Sequence, residues 1–295
     1  MNDTSYTARQ EIRRRLQKEQ RALMWRKFLT NKLAMGGALI TLTVIVLALL
    51  APVICPEGPL AMSVFDRLTP PSPDGYLFGA DNLGRSVLAR VLYGARVSLA
   101  IGASVGLLSM IFGMILGLYA SYYPALDNVI MRICDGLSAI PSTLLAIALM
   151  AMLERNIGNL ILSLTIVSTP RVARVARSSA VVVREQTYIE AMRALGTSST
   201  RIIWGHIAPN ILSGVVVQSS YIFANAIITE AALSFLGVGV PAPDPSWGNI
   251  LYDGKAVIHK AWWMIVYPGI FTAATVLGLN IFGDGLRDVL DPHTN

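Results

Sequence analysis

The stretch Tyr188-Ile-Glu-Ala-Met-Arg-Ala-Leu-Gly196, continued by Thr-Ser-Ser-Thr-Arg-Ile-Ile-Trp-Gly and then His206-Ile-Ala-Pro209, is a polar and charged interruption between long apolar runs. Glu190, Met192, Arg193 and Leu195 are good helix formers, and Gly196 is placed to stop them, because glycine takes positive φ at little cost. Thr197, Ser198 and Ser199 offer hydroxyl caps for a second helix beginning near Thr200. That helix should end before Pro209, since the residue preceding a proline is pushed away from the helical region. The pattern predicts helix, glycine turn, helix. Taken alone it reads equally well as an amphipathic connector on a membrane surface or as a docking surface for another protein.

Outward from this segment the chain is dominated by apolar residues: 54% are hydrophobic and only 14% charged, and the mean hydropathy is +0.55. A soluble chain of this size carries about 25% charged residues, so the composition requires a membrane. Runs near Ala34–Cys55, Val97–Tyr122, Ile133–Leu153, Leu160–Thr169, Ile211–Leu233 and Trp263–Ile281 are the spanning candidates, judged against the roughly 20 residues a bilayer core needs. The fourth is short, but it extends backward through Ile157 and Gly158 and forward into Pro170 and Val172. The fold class expected is all-α and polytopic, with about six transmembrane helices and both termini on one side.

Arginine and lysine indicate which side. Arg9, Arg13, Arg14, Arg15, Lys18, Arg21, Arg26, Lys27 and Lys32 precede the first span, and Arg171, Arg174, Arg177, Arg184, Arg193 and Arg201 fill the central polar region. Both are cytoplasmic by the positive-inside rule. Residues 1–33 are therefore a cytoplasmic basic tail, and 34–295 a transmembrane domain. Its expected loops are an outer one over 56–96, a cytoplasmic one over 171–209 and an outer one over 237–261. Leu23, Trp25, Phe28 and Leu29 make about Arg21–Lys32 an interfacial helix.

The net charge of +6 does not indicate nucleic acid, because the basic residues flank apolar spans and need only anionic headgroups as partners. The two cysteines, Cys55 and Cys134, fall at opposite ends of their spans, too far apart for the α-carbon separation of about 7 Å that a disulfide allows. His206, His259 and His293 lie in different loops without metal-ligand spacing. No phosphate-binding glycine loop, nucleophile elbow or zinc-protease pair occurs in the sequence. No catalytic residue, metal site or resident cofactor is expected. The span centres contain almost no ionisable side chains, and Glu230 lies toward the outer end of the fifth, which argues against a proton-coupled carrier.

Several segments resemble a known family. Glu190, Ala191 and Gly196 match the loop by which membrane subunits of bacterial ABC importers dock on their ATPases, with Met192 standing where a second alanine is usual and Ala208 where leucine is frequent. Phe78-Gly-Ala-Asp-Asn-Leu-Gly-Arg85, Gly94-Ala-Arg-Val-Ser-Leu99, Leu233-Ser-Phe-Leu-Gly-Val-Gly239, Ser246-Trp-Gly248 and Gly283-Asp-Gly-Leu-Arg-Asp288 are similar to signatures of the dipeptide/oligopeptide/nickel permease family, second-permease type. The resemblance implies a type I ABC importer permease fold in a bacterial inner membrane, with di- or oligopeptides as cargo. Nickel or another small solute is the alternative, and an ion-coupled carrier a more distant one. It implies three kinds of protein partner, a related second permease, two ATP-binding subunits and a periplasmic substrate-binding protein, beside the membrane lipid that the composition already requires. ATP and magnesium would sit in the ATPases. Glu190, Ala191, Met192, Arg193, Gly196 and Pro209 would then be the ATPase-coupling residues.

Gln218, Tyr221, Asn225 and Thr229 recur at intervals of three, four and four, on one face of the fifth span. They either line a hydrated translocation path at the interface with the second permease or hydrogen-bond to neighbouring helices. Gly102-x-x-x-Gly106 and Gly113-x-x-x-Gly117 suggest close helix packing. Asp81, Asn82 and Arg85 are read as loop-fixing residues, and Trp247, Trp262 and Trp263 as an interfacial belt. The loop after Glu230 could receive a binding protein or act as a lid. Asp284, Arg287 and Asp288 either pair with one another at the surface, the reading preferred, or touch an ATPase.

Overall fold

The computed structural model describes residues 26, 29–73 and 75–290. The helices are α1 (Lys32–Ile54), α2 (Val87–Tyr122), α3 (Pro124–Ala139), α4 (Ser142–Met152), α5 (Ile157–Arg184), α6 (Thr187–Ala194), α7 (Ser199–Ile202), α8 (Ala208–Phe235), α9 (Trp247–Lys255) and α10 (Trp263–Leu290). Among the described residues there is no β-strand, only an isolated bridge between Ala80 and Ser86.

Local chemistry sets the helix starts. The Asn31 side chain accepts from the backbone N–H groups of Leu33 and Ala34, both at 3.1 Å, and caps α1. Of the interfacial helix expected over Arg21–Lys32, most lies outside the described residues, and Asn31 interrupts the remainder. Ser86 caps α2 through Ala89 N–H at 3.3 Å, so the second span begins at Val87, ten residues earlier than its apolar run suggested, and the preceding loop ends at Ser86. Asn156 caps α5 through Asn159 N–H at 2.7 Å.

Two proline positions depart from the sequence reading. The third span, expected as one run over Ile133–Leu153, is a pair of helices, α3 and α4, meeting at 94°. Ile140, held extended before Pro141, forms the corner. Pro209, by contrast, ends nothing. Residues Ile203–Ile207 form a π turn that joins α7 to α8, and Ser199–Phe235 is one helical rod of 37 residues, about 55 Å at 1.5 Å per residue. In the π turn the Ala208 N–H reaches back to the Ile203 carbonyl, and Pro209 stands in the first turn of α8, the helical position where its missing N–H is tolerated.

Among the described residues four helices, α1, α2, the α7–α8 rod and α10, are long and apolar enough to cross a membrane, and the bent α3–α4 pair makes a fifth if it is counted as one span. The sixth expected span is the first half of α5. It falls short of the apolarity needed because the helix runs on through Pro170 and carries Arg171, Arg174, Arg177 and Arg184. Much of what the sequence suggested was a cytoplasmic loop from 171 is therefore helix.

The core is built around α2, which packs on α5 at one end and on α8 at the other. The two glycine pairs make both contacts possible. A methyl at Gly102 would meet the Phe223 ring at 2.7 Å, and one at Gly117 would meet the Ala173 carbonyl at 2.6 Å. Sliding helices are not needed to explain them. Ile101, Leu118, Leu160, Leu164, Ile207 and Ile211 fill the interior between these helices, while Leu39, Leu42, Leu49 and Val53 of α1 face outward, as lipid-facing residues do.

Candidate functional site

The glycine turn stands at one end of this scaffold. Ile189 is fully buried beneath α6 and Met192 packs on the same core. Arg193 lies with its guanidinium carbon 4.8 Å from the centre of the Tyr122 ring at the end of α2. Arg184 donates to the Ser121 carbonyl at 2.5 Å. These contacts fix α6 against the ends of α2 and α5.

Gly196 adopts φ +77°. Its N–H donates to the Arg193 carbonyl at 2.9 Å and Thr197 N–H to Met192 at 3.0 Å, the paired closure of a Schellman turn. Ser198 occupies the next N-cap position without a side-chain cap, so the hydroxyls of Thr197 to Ser199 do not serve as the sequence suggested. Glu190, Ala191, Arg193, Ala194 and Pro209 are exposed, and Leu195 is 85% exposed. Trp204 adds an exposed aromatic face from the π turn. The anchored turn thus leaves large apolar side chains, Leu195 and Trp204, exposed beside it.

Gln218, Tyr221, Asn225 and Thr229 are all half-buried on one face of α8. They divide into two kinds. Tyr221 donates its hydroxyl to Asp284 of α10 at 2.5 Å, and Thr229 donates to the Asn225 carbonyl at 2.8 Å. The Gln218 and Asn225 amides make no hydrogen bond among the described residues. Asp284 thus bonds to α8, where the sequence reading paired it with Arg287 and Asp288.

At the opposite end from the glycine turn, Asp81 is fully buried and accepts from Arg85 Nε at 2.6 Å and Arg90 Nη1 at 2.8 Å. Asp253 of α9 accepts from the same two arginines, at 3.3 Å and 2.8 Å. Arg67 donates to the Asn82 carbonyl at 2.7 Å. This cluster locks residues 56–86 onto α2 and α9, the loop-fixing role read from Asp81, Asn82 and Arg85. Arg90 and Asp253 were missed; the one signal for them is a charge beside an apolar run. Burial and the neighbouring Asp66 carboxylate push the Tyr76 phenol above its ordinary value. Trp247 is no belt residue. It is fully buried, with its indole N–H donating to Val91 at 3.1 Å, and of the three tryptophans only Trp262 is exposed. Among the described residues no three of His, Cys, Asp and Glu converge as metal ligands would.

A family profile described as binding-protein-dependent transport system inner membrane component matches residues 109–295, and a second, the N-terminal TM domain of oligopeptide transport permease C, matches residues 19–71. The chain belongs to this family of inner-membrane permeases. It is 46% identical over 257 residues to a putative peptide transport system permease of Brucella suis, covering 87% of this chain and 86% of the relative. The permease is also 39% identical over 274 residues to the di/tripeptide transport system permease DppC of Pseudomonas aeruginosa, with 91% and 90% covered. To the glutathione transport system permease GsiD of Pectobacterium atrosepticum it is 39% identical over 269 residues, with 91% and 89% covered. Among solved structures, a chain of the inward-facing MetNI methionine ABC transporter superposes with a TM-score of 0.58 at 19% identity, over 68% of the permease and 97% of that chain. That likeness establishes the fold. The protein is a multi-pass permease subunit of an ABC importer.

Proposed function

We propose that this permease forms half of the translocation path for di- or oligopeptides and passes ATP-driven motion into the membrane through the turn around Gly196. The observation that carries the reading is the turn itself. Glu190, Ala191, Arg193 and Leu195 stand exposed on a short helix anchored through Ile189 and Arg193. Two ATPase subunits, holding ATP and magnesium, would dock on this turn and its counterpart in a related second permease, and this chain would contribute no catalytic residue. The peptide, dipeptide and glutathione permeases among its relatives support the cargo class, and a substrate-binding protein would select within it.

Both termini and the Gly196 turn would face the cytoplasm, as the arginines of α5 favour. Gln218, Tyr221, Asn225 and Thr229 would line the path. Uncharged groups can hydrate a peptide backbone without trapping one side chain. The test is uptake of a labelled dipeptide into proteoliposomes holding the complete complex, with binding protein outside and ATP inside. ATP-dependent uptake that competing peptides suppress is expected. Uptake that follows an ion gradient, or that peptides do not compete for, overturns the reading.

A further inference from the structure

Glu230, on the last turns of α8, is fully buried and no cationic side chain pairs with it among the described residues. Its two carboxyl oxygens accept from different serines: Ser98 of α2 donates to Oε2 at 2.9 Å, and Ser234 donates to Oε1 at 2.8 Å. Each serine oxygen in turn accepts a backbone N–H. Ser234 takes the N–H of Val240 at 3.0 Å, and Ser98 takes that of Trp247 at 3.4 Å. A hydroxyl has one proton. With both protons committed to Glu230, each serine presents only lone pairs to the backbone it holds. One carboxyl therefore orients two hydroxyls, and these pin Val240 and Trp247, the two ends of the stretch that leads into α9.

The rest of the segment is tied in the same way. Asn249 donates to the carbonyls of Val240 and Asp244, at 3.1 Å and 3.0 Å. A methyl at Gly248 would meet Ser234 Cβ at 2.5 Å, so α9 rests directly on the end of α8. The α7–α8 rod runs without a break from the Gly196 turn to this carboxyl.

We infer that Glu230 is a positioning residue for transport: it fixes residues 240–247 over the outer mouth, so that motion entering at the Gly196 turn is carried by the α7–α8 rod to both ends of that segment. The inference rests on the coupling role proposed for the turn. A glutamine at 230 donates from one of its two positions. The serine facing it then accepts two N–H groups and has no acceptor for its own proton, and that arm of the clamp loosens.

The experiment uses the complete complex in nanodiscs, with Cys55 and Cys134 replaced and a single Asp244→Cys as reporter, because Asp244 is exposed. The rate at which an impermeant thiol reagent labels the reporter is measured with and without ATP, in parallel with the ratio of binding-protein-stimulated to basal ATP hydrolysis. With Glu230 present, labelling should depend on ATP. Glu230→Gln should raise labelling in the nucleotide-free state and remove most of the ATP dependence, with a roughly tenfold fall in uptake per assembled complex, the size of one lost buried hydrogen bond.

Ser98→Ala and Ser234→Ala each break one arm and keep the test open if Glu230→Gln does not assemble. Each should show part of the defect. Added to Glu230→Gln, the serine change on the arm that the amide has already loosened should add nothing, and the change on the other arm should deepen the defect, since each acts through its own half of one clamp. Unchanged ATP-dependent labelling in Glu230→Gln, or effects of both serine changes that add to it in full, overturns the inference. Failure of the peptide cargo reading would leave the labelling result intact, because the reporter follows ATP and not cargo.

Discussion

At Gly196 the conformation and the surroundings make separate demands. A Cβ there would meet nothing within 4 Å, so the glycine is needed only for its φ of +77°. Gly196→Val should cost about 1–2 kcal/mol of turn stability and uncouple ATP hydrolysis from uptake in a permease that still inserts. Gly196→Asn, which tolerates the left-handed region and has open space, should retain most uptake. Equal loss in both variants would show that contact with a partner, and not φ, selects glycine. The polar stripe gives a second comparison. Because the Asn225 and Gln218 side-chain amides make no hydrogen bond among the described residues while Tyr221 holds Asp284, Asn225→Leu should lower uptake per assembled complex with no change in thermal stability. Tyr221→Phe should lower stability by about 1 kcal/mol. If Asn225→Leu reduces yield and leaves uptake per complex unchanged, the stripe is packing.

Helix contacts carry the larger energies. Gly117 faces backbone: a methyl there would sit 2.6 Å from the Ala173 carbonyl oxygen, which no rotamer change can relieve. Gly117→Ala should therefore push α2 from α5 and cost roughly 1–3 kcal/mol, read as a fall in the melting temperature of the purified complex. A neutral result would mean that the two helices part easily. This contact was half-legible, since the one-turn glycine spacing announced close packing without naming its partner. The turn from Glu190 to Gly196 was legible for a different reason, because helix propensity and a C′ glycine act over a few residues. The corner at Pro141 and the continuity through Pro209 could not be told apart from sequence. Proline removes one N–H in both places, and the outcome depends on whether neighbouring helices hold the chain straight. Ile203 and Ile207 are buried in the shared core and keep the rod together. Ile140 is exposed, without the buried anchors that the π turn has.

On the scale of the whole molecule, two polar assemblies occupy opposite ends of an apolar bundle: the Gly196 turn at one, and the Asp81–Arg85–Arg90–Asp253 cluster with the Glu230 clamp at the other. Neither buried cluster was legible as a unit, since Asp253 stands 163 positions from Arg90 and Ser98 stands 132 from Glu230. Periodicity sees neighbours along the chain; it does not see those pairings. What the sequence does carry at this scale is direction. The arginines of α5 lie toward the Gly196 end, and the positive-inside rule predicts a cytoplasmic position for that end. Single cysteines read this out once Cys55 and Cys134 are replaced. Ser178 of α5 and Asp244 between α8 and α9 are both exposed, whereas Ser246 is fully buried and would report nothing. In intact spheroplasts an impermeant thiol reagent should label Asp244→Cys and not Ser178→Cys, and permeabilisation should make Ser178→Cys reactive. The reverse pattern would place the Gly196 turn outside, away from ATP, and the coupling role proposed for it would fall with the orientation.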